Sequence, residues 1–434
     1  MLRTTAAIVA GKAARAAARI RGGGGSAMPG LVAERIDPAF LTHALSGVAG
    51  GIVVVTGTNG KTTTTKMLAS ILRAHGRQVF TNPTGSNFTR GVISSMLGSL
   101  PLSGRLDADV AVLELDEWHA LQFAKVVTPT HALLLNVARD QLDRFAEIDT
   151  TAKLLATLAT QTRTGVVLNR DDTFVSRIRS QVGPGVEVRW FGIDPAVADD
   201  LPPLHEADSR SGDPVAVPEP TADDGLLHPE DARTLRIGFG DRVIGPLELH
   251  QRGLAAMINA TAAVTTARLV LGDAFSPAAT VEALRTVRPP FGRGEVIDAG
   301  GAPLELVLVK NPAGFTVALG TYLSEPVTTM VAINDDYADG QDVSWLYDVG
   351  FESLREHGVA LTSGVRAYDM ALRLDYDDVA VAAVEPDLER ALNRLIAEHP
   401  DEPRRIFCTY TAMMRLRRLL AARYGLVGFG EESA

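Results

Sequence analysis

The stretch VVVTGTNGKTTTTKMLASIL, residues 53 to 72, joins an apolar run to a glycine-rich loop and then to a helical pattern. Gly57 and Gly60 permit a tight turn, and the backbone N–H groups at the start of the following helix favour a phosphate. The Gly-Lys-Thr order is typical of a P-loop, although the glycine expected five positions earlier is absent. The order of strand, loop and helix therefore predicts a nucleotide-binding α/β domain, in which Lys61 reaches the phosphates and Thr62 offers its hydroxyl to Mg²⁺.

Length and charge limit the possible functions. The chain has 434 residues, enough for two or three domains that each bury a core. A formal net charge of −10 argues against a nucleic-acid partner, because such proteins concentrate Lys and Arg on one face. A single cysteine, Cys408, excludes an internal disulfide and any multi-cysteine zinc site.

The N-terminal segment, residues 1–49, is predicted to be helical. Its first 21 residues are rich in alanine and arginine and contain no acidic group. We expect a short amphipathic helix that lies on the protein or near a membrane surface. A cleaved targeting peptide is the alternative, but no cleavage signature follows a strong apolar core.

Beyond residue 50, short apolar runs alternate with helical periods, which predicts a parallel sheet covered on both faces. The strands predicted in the first half are 52–56, 78–81, 110–114, 131–136 and 164–169. Those predicted in the second half are 304–310, 327–333, 358–362, 378–384 and 405–410. Between the halves, RPPFGRGEV at 288–296 interrupts regular structure, so we place the boundary there: an ATP-binding domain at 50–296 and a C-terminal domain at 297–434. The Pro- and Asp-rich residues 194–233 are predicted to be an irregular insertion.

Two polar clusters follow predicted strands, where a doubly wound sheet presents its ligands. VLELDE contains Glu114, Asp116 and Glu117, and LLLNVARDQLD contains Asn136 and Asp140. Mg²⁺ prefers carboxylates together with phosphate oxygens and water, so Glu114 is predicted to complete the metal site beside the P-loop threonine.

Six motifs, taken in order, resemble those of the Mur ligases and folylpolyglutamate synthases: GTNGKTT, ELDE, NVARDQLDRF, VLNRDD, NATAA and GRGEV. The shortened P-loop is the usual form in these enzymes. In the second half, LVKNPAGF, INDDYADGQDVSW and YTAM resemble the MurT family, the Mur ligase-like subunits of lipid II isoglutaminyl synthase. The resemblance implies a P-loop Mur ligase central domain with a mostly parallel sheet, followed by a Rossmann-like α/β domain.

The resemblance also implies an activity. It would be the ATP-dependent amidation of the D-glutamate α-carboxyl in the lipid II stem peptide through an acyl phosphate, with ammonia from a GatD-like glutaminase. A protein of this kind would work in the cytoplasm, peripherally at the inner face of the plasma membrane. The alternatives are a Mur-type or folylpolyglutamate-type ligase that adds an amino acid without a glutaminase, and a P-loop regulatory protein without catalysis.

Roles follow by resemblance for individual residues. Asp342 would orient the catalytic histidine of the partner glutaminase, with the loop 311–314 beside it, and Lys61 and Arg293 would act on the transferring phosphoryl group. Thr62 and Glu114 would hold Mg²⁺. Asn82 and Asn87 would either hold substrate or serve as turn residues. The residues expected to bind ATP are Gly57, Thr58, Asn59, Gly60, Lys61, Thr62, Thr63, Asn259 and Arg293.

Three departures from the related families affect these expectations. No zinc is expected, because the position of a four-cysteine zinc ribbon falls in the cysteine-free residues 194–233. Gln141 stands where Mur ligases have a metal-binding histidine, which leaves a second metal in doubt. Ala256 stands where an asparagine near the adenine is common, so base selectivity is open.

Overall fold

The structure is a computed structural model that describes residues 2–20, 27–82, 88–138, 148–198, 201, 219–322 and 327–426. These residues form two β-sheets in succession, each with helices on both faces. The helices are α1 Leu2–Ile20, α2 Ala27–Ile36, α3 Phe40–Leu45, α4 Lys61–Ala74, α5 Thr89–Ser99, α6 Glu117–Ala124, α7 Ile148–Gln161, α8 Thr173–Arg177, α9 Leu254–Leu271, α10 Pro277–Thr286, α11 Pro312–Tyr322, α12 Ala367–Tyr376, α13 Leu388–Glu398 and α14 Tyr410–Tyr424.

The first sheet contains β1 Ile52–Thr56, β2 Val79–Thr81, β3 Val110–Glu114, β4 His131–Leu134, β5 Gly165–Asn169, β6 Glu187–Ile193, β7 Gly225–Pro229, β8 Thr234–Phe239 and β9 Arg242–Glu248. The strand order is β2-β3-β1-β4-β5-β6-β7-β8-β9. From β2 to β7 neighbouring strands are parallel, and β8 and β9 add an antiparallel edge. The central strand β1 is buried at every position, as expected for a β-branched run between two helical layers. The predicted, mostly parallel sheet is confirmed.

The four strands from β6 to β9 differ from the sequence prediction. The strand β7 lies inside residues 194–233, which were predicted to be irregular, and β6, β8 and β9 were not predicted. Arg236 and other exposed polar residues interrupt the apolar pattern of these strands. One local signal was available, because Gly240 and Asp241 form a two-residue turn between β8 and β9 with φ of 60° at the glycine.

The second sheet contains β10 Arg293–Asp298, β11 Pro303–Leu308, β12 Thr328–Ala332, β13 Val359–Ser363, β14 Val381–Glu385 and β15 Arg404–Cys408 in the order β10-β11-β15-β12-β13-β14. All neighbours are parallel except β10 and β11. Because β10 pairs with β11, residues 293–296 belong to the second sheet, although the sequence placed them in the first domain. The Pro- and Gly-rich sequence around 288–294 indicated a break in regular structure, but not which sheet the next strand would join.

The N-terminal helices pack onto the first sheet. Ala7 and Ile8 of α1 are fully buried in the same hydrophobic cluster as α3, α5 and α6. Thr4 donates a 2.8 Å hydrogen bond to Asp37, which follows α2, so the first helix is tied to the second. The prediction of a helix that lies on the protein therefore agrees with the packing.

One apolar helical stretch, Leu254–Ala274, has the length and hydropathy of a membrane span among the described residues. Most of it is buried inside the protein, because α9 packs against α4 and the strands of the first sheet. This environment accounts for its apolar composition.

A buried histidine lies at the start of β4. His131 is 8% exposed, and its Nδ1 has no hydrogen-bond partner among the residues that the structure describes. Burial, assisted by the positive charge of Arg163, lowers the pKa of His131 to about 4. The folded protein therefore holds this imidazole neutral at pH values where an unfolded chain protonates it.

This histidine predicts acid-dependent stability. Between pH 6.5 and about 4 the unfolded state binds more protons at His131, so the free energy of unfolding falls as the pH falls, by about 3 kcal/mol at most. The contribution is fully present above pH 6.5. In urea unfolding at pH 7.5 and 4.5, His131→Gln should lose less stability on acidification than the wild type. The exposed-site control His357→Gln should behave like the wild type, and equal losses in all three proteins would contradict the prediction.

Candidate active site

The P-loop lies at the carboxyl end of β1. Gly57 and Gly60 have φ values of 130° and 89°, which favour glycine, and a Cβ on Gly60 would lie 2.3 Å from the side-chain oxygen of Asn259. Asn136, after β4, braces the loop by accepting a 2.8 Å hydrogen bond from the backbone N–H of Asn59. The loop conformation thus depends on contacts with two other elements of the first domain.

The side chain of Lys61, the first residue of α4, lies over this loop. Its ammonium donates hydrogen bonds to the backbone oxygens of Gly57 and, at 3.2 Å, Thr58. Glu117 Oε1 lies 4.0 Å from Lys61 Nζ. Asp116 is also close enough for its charge to interact with Lys61. The sequence did not assign these two carboxylates a role, and they place negative charge beside the lysine.

The predicted metal ligands are in contact. Thr62 Oγ1 donates a 2.7 Å hydrogen bond to Glu114 Oε1, and both residues are buried. Asn82 holds Glu114 in place: its Nδ2 donates to the Glu114 carbonyl at 2.8 Å, and its Oδ1 accepts from the Glu114 N–H at 2.9 Å. These contacts favour a positioning role for Asn82. The hydroxyl and the carboxylate are hard oxygen ligands of the kind that Mg²⁺ prefers, so the residues fit this ion.

Some of the predicted site residues lie outside the described part of the chain. These are Asn87, Asp140 and Gln141. Residues 199–200 and 202–218 of the predicted insertion are also outside it. Within the described residues there is no group of three or more His, Cys, Asp or Glu side chains that could hold a metal ion. The Thr62–Glu114 pair would therefore need phosphate oxygens and water to complete a Mg²⁺ site.

Arg293 joins the P-loop from the second sheet. It lines one cavity together with Asn59, Gly60, Thr63 and Asn259. Burial lowers the pKa of the Arg293 guanidinium, and the negative charge of Glu114 opposes that shift. The charge interaction links Arg293 electrostatically to Glu114 of the predicted metal-ligand pair, so the structure brings these predicted residues together. Ala256 lines the same cavity.

The far wall of the cavity comes from the second domain. Asn311 Nδ2 donates a 3.0 Å hydrogen bond to Asn59 Oδ1, and the reverse amide contact, from Asn59 Nδ2 to Asn311 Oδ1, is 3.4 Å. Ala313 and Gly314, at the start of α11, continue the wall. The sequence placed this loop beside Asp342 and missed its contact with the P-loop. A pairing across 252 residues leaves no local signal in the sequence.

Asp342 lies in a different environment, on the loop after β12. It is exposed and does not line the cavity. The backbone N–H of Ser344 donates to it at 2.8 Å, and this hydrogen bond lowers the pKa of Asp342. Its neighbour Asp339 is buried, accepts a hydrogen bond from the Thr411 N–H at 2.7 Å, and has its pKa raised by burial. Of these two carboxylates, Asp342 is the one available to another molecule.

The chain matches two family profiles. Residues 55–211 match the Mur ligase middle domain, and residues 308–413 match the MurT ligase C-terminal domain. Among curated proteins, it is similar to the lipid II isoglutaminyl synthase (glutamine-hydrolyzing) subunit MurT of Streptococcus pneumoniae. The identity is 30%, over 97% of this chain and 98% of that protein.

Solved structures share the fold. The crystal structure of MurF from Acinetobacter baumannii matches with a TM-score of 0.66 and 18% identity, covering 90% of this chain and 81% of the other. Escherichia coli FolC, solved with DHPP and ADP, matches with a TM-score of 0.62 and 15% identity, covering 89% of this chain and 93% of the other. With a near-complete alignment to MurT and a Mur ligase fold, the chain belongs to the MurT family of lipid II isoglutaminyl synthase subunits, which are ATP-dependent ligases of peptidoglycan synthesis.

Proposed function

We propose that the protein amidates the α-carboxyl of D-glutamate in the lipid II stem peptide, using ATP and ammonia from a GatD-like glutaminase. The carboxylate oxygen attacks the γ-phosphorus of ATP and ADP leaves, which gives an acyl phosphate. Ammonia then attacks the acyl carbon, loses a proton and expels phosphate. The single observation that carries the proposal is the cavity shared by the P-loop and Arg293.

The charges in this cavity suit phosphoryl transfer. Arg293 lines the cavity from the second sheet, and Lys61 at the start of α4 lies between Gly60 and Thr63, which line it from the first. Together with the N–H groups at the start of α4, they would supply positive charge from two sides. Thr62 and Glu114 would hold Mg²⁺, which when bound offsets phosphate charge. Because Arg293 and Asn311 belong to the second domain, closure of that domain over the P-loop would also exclude water from the acyl phosphate.

The nitrogen source is proposed to be a separate polypeptide. A glutaminase needs an activated thiolate, and the single cysteine, Cys408, is fully buried, which raises the pKa of its thiol. The exposed Asp342 would instead reach across an interface to the partner's catalytic histidine. The same domain exposes more than half of the surface of each of four tyrosines, Tyr337, Tyr347, Tyr368 and Tyr376. Tyrosine is enriched at protein interfaces.

Two of these tyrosines, Tyr347 and Tyr376, are in contact, and we call this pair the tyrosine surface. Tyr347 follows Asp342 in the loop, and its ring lies 6.0 Å from that of Tyr376 on α12. Buried Arg373 fixes the arrangement by donating to the Leu346 carbonyl at 3.0 Å. We infer that this tyrosine surface receives the glutaminase.

The proposed substrate determines where in the cell the protein would act. Lipid II is held in a membrane, so the protein would work in the cytoplasm at the inner face of the plasma membrane. The alternative is a Mur-type or folylpolyglutamate-type ligase that joins an amino acid without a glutaminase. The two functions differ in the nucleophile, so product masses after incubation with ammonium or with amino acids distinguish them.

Lys61→Ala should abolish amidation with either glutamine or ammonium as nitrogen source, because the phosphoryl group loses a preorganised positive charge. We expect a loss of about a hundredfold or more. Lipid II amidation is followed by mass spectrometry with the glutaminase present. Lys66→Ala, on the same helix, is the control and should keep activity. Full activity of the Lys61 variant would exclude this site.

Asp342→Asn should separate the two nitrogen sources. The substitution removes the negative charge that would orient the partner's histidine, so glutamine-dependent amidation should fall by about a hundredfold while ammonium-dependent amidation is retained. Asp348→Asn, another exposed carboxylate of the same region, should retain both activities. Equal loss with both nitrogen sources would contradict the role of Asp342.

A further inference from the structure

The N-terminal helix has an unusual distribution of charge. The helix α1 carries Arg3, Lys12, Arg15 and Arg19 and no acidic residue, whereas the whole chain has a net charge of −10. The catalytic and partner-binding roles proposed above use none of these residues. Arg3 and Lys12 are exposed, so the helix contributes positive charge to the surface of an acidic protein.

The inner face of α1 is fixed by packing. Ala7 and Ile8 are buried, and Gly11 approaches Leu97 of α5 so closely that a Cβ there would lie 2.6 Å from the leucine side chain. Lys12 Nζ donates a 2.8 Å hydrogen bond to the Leu100 carbonyl at the end of α5. These contacts determine which side of the helix faces solvent.

The opposite side, which we call the outer face of α1, is apolar. Leu2 is 90% exposed and Val9 is 55% exposed. Exposed alanines continue the stripe at helical spacing, so the outer face consists of Leu2, Ala6, Val9, Ala13, Ala16 and Ala17. Exposed Arg3 flanks this stripe on one side, and Lys12, whose ammonium bonds the Leu100 carbonyl, flanks it on the other. An apolar face with basic flanks is typical of a helix that lies in the plane of a membrane surface.

The direction of α1 relates this face to the active site. Thr5 donates to the Leu102 carbonyl after α5, whereas Arg15 adjoins Gly98, so α1 runs antiparallel to α5. The carboxyl end of α1 consequently points towards the beginning of α5 at Thr89, which follows the loop after β2. Asn82, at the start of that loop, holds the metal ligand Glu114.

We propose that the outer face of α1 binds an anionic lipid bilayer and holds the active-site edge of the first sheet beside it. The partner is a bilayer because the face combines exposed aliphatic side chains, which insert between lipids, with positive charge, which anionic headgroups attract. The inference deepens the proposed function, since a membrane-held substrate is the reason for such an anchor.

The test uses the full chain and vesicles, and it does not depend on activity. In flotation assays the wild type should bind vesicles of phosphatidylglycerol and phosphatidylcholine several-fold more than pure phosphatidylcholine, and binding should decrease at 0.5 M salt. The double variant Val9→Glu with Ala13→Glu should bind at least about tenfold less, because it places two negative charges on the outer face.

A matched control variant carries one Val→Glu and one Ala→Glu substitution at exposed positions away from α1. Val243→Glu with Ala397→Glu replaces exposed residues of β9 and α13 and should bind vesicles like the wild type. Equal binding to neutral and anionic vesicles, or unchanged binding by the α1 variant, would overturn the proposal. If the α1 variant loses lipid binding but still amidates a short-chain, water-soluble substrate, the anchor is supported independently. If the wild type fails to amidate any substrate while vesicle binding is as expected, the proposed function fails and the anchor stands.

Discussion

The proposed activity depends on positive charge supplied by both sheets of the protein. A triphosphate carries several negative charges that a protein stabilises only with donors fixed in advance. Lys61 is held by the loop after β1, and Arg293 by the first strand of the second sheet. The reciprocal amide pair of Asn59 and Asn311 keeps these two regions in contact. In the proposed function, loss of that contact would separate the P-loop from Arg293.

The predicted metal ligands show how buried hydrogen bonds fix the position of a side chain. Glu114 ends a fully buried strand, and Asn82 forms hydrogen bonds with both its backbone N–H and its carbonyl. These bonds fix the backbone position from which the carboxylate extends. Thr62 meets it at 2.7 Å from the neighbouring helix. A buried donor or acceptor without a partner costs free energy in a low-dielectric site, which favours the single arrangement in which all these groups are bonded. The P-loop is fixed by close packing as well as by hydrogen bonds. Asn136 and Asn259 occupy the space that a side chain on the loop glycines would need.

The sequence predicted the parts of this molecule that local patterns determine. The central parallel strands are apolar runs, and the P-loop follows from glycine spacing, so both could be recognised without structure. The strands β6 to β9 were missed, and in β8 exposed residues such as Arg236 dilute the apolar pattern. Asn311 escaped assignment for a different reason, since its partner lies 252 residues earlier. The position of Arg293 was expected only by resemblance, and the sheet that carries it was assigned wrongly.

The most direct test of the shared cavity compares two nucleotides that differ by one phosphate. Calorimetric binding of ADP and of a non-hydrolysable ATP analogue, with Mg²⁺, should be measured for the wild type and Arg293→Ala. If Arg293 contacts the γ-phosphate, the variant should bind ADP within about twofold of the wild type but the ATP analogue about tenfold or more weakly, as expected for a lost charge-assisted hydrogen bond. An equal change for both nucleotides, or none for either, would contradict a triphosphate held between the two domains.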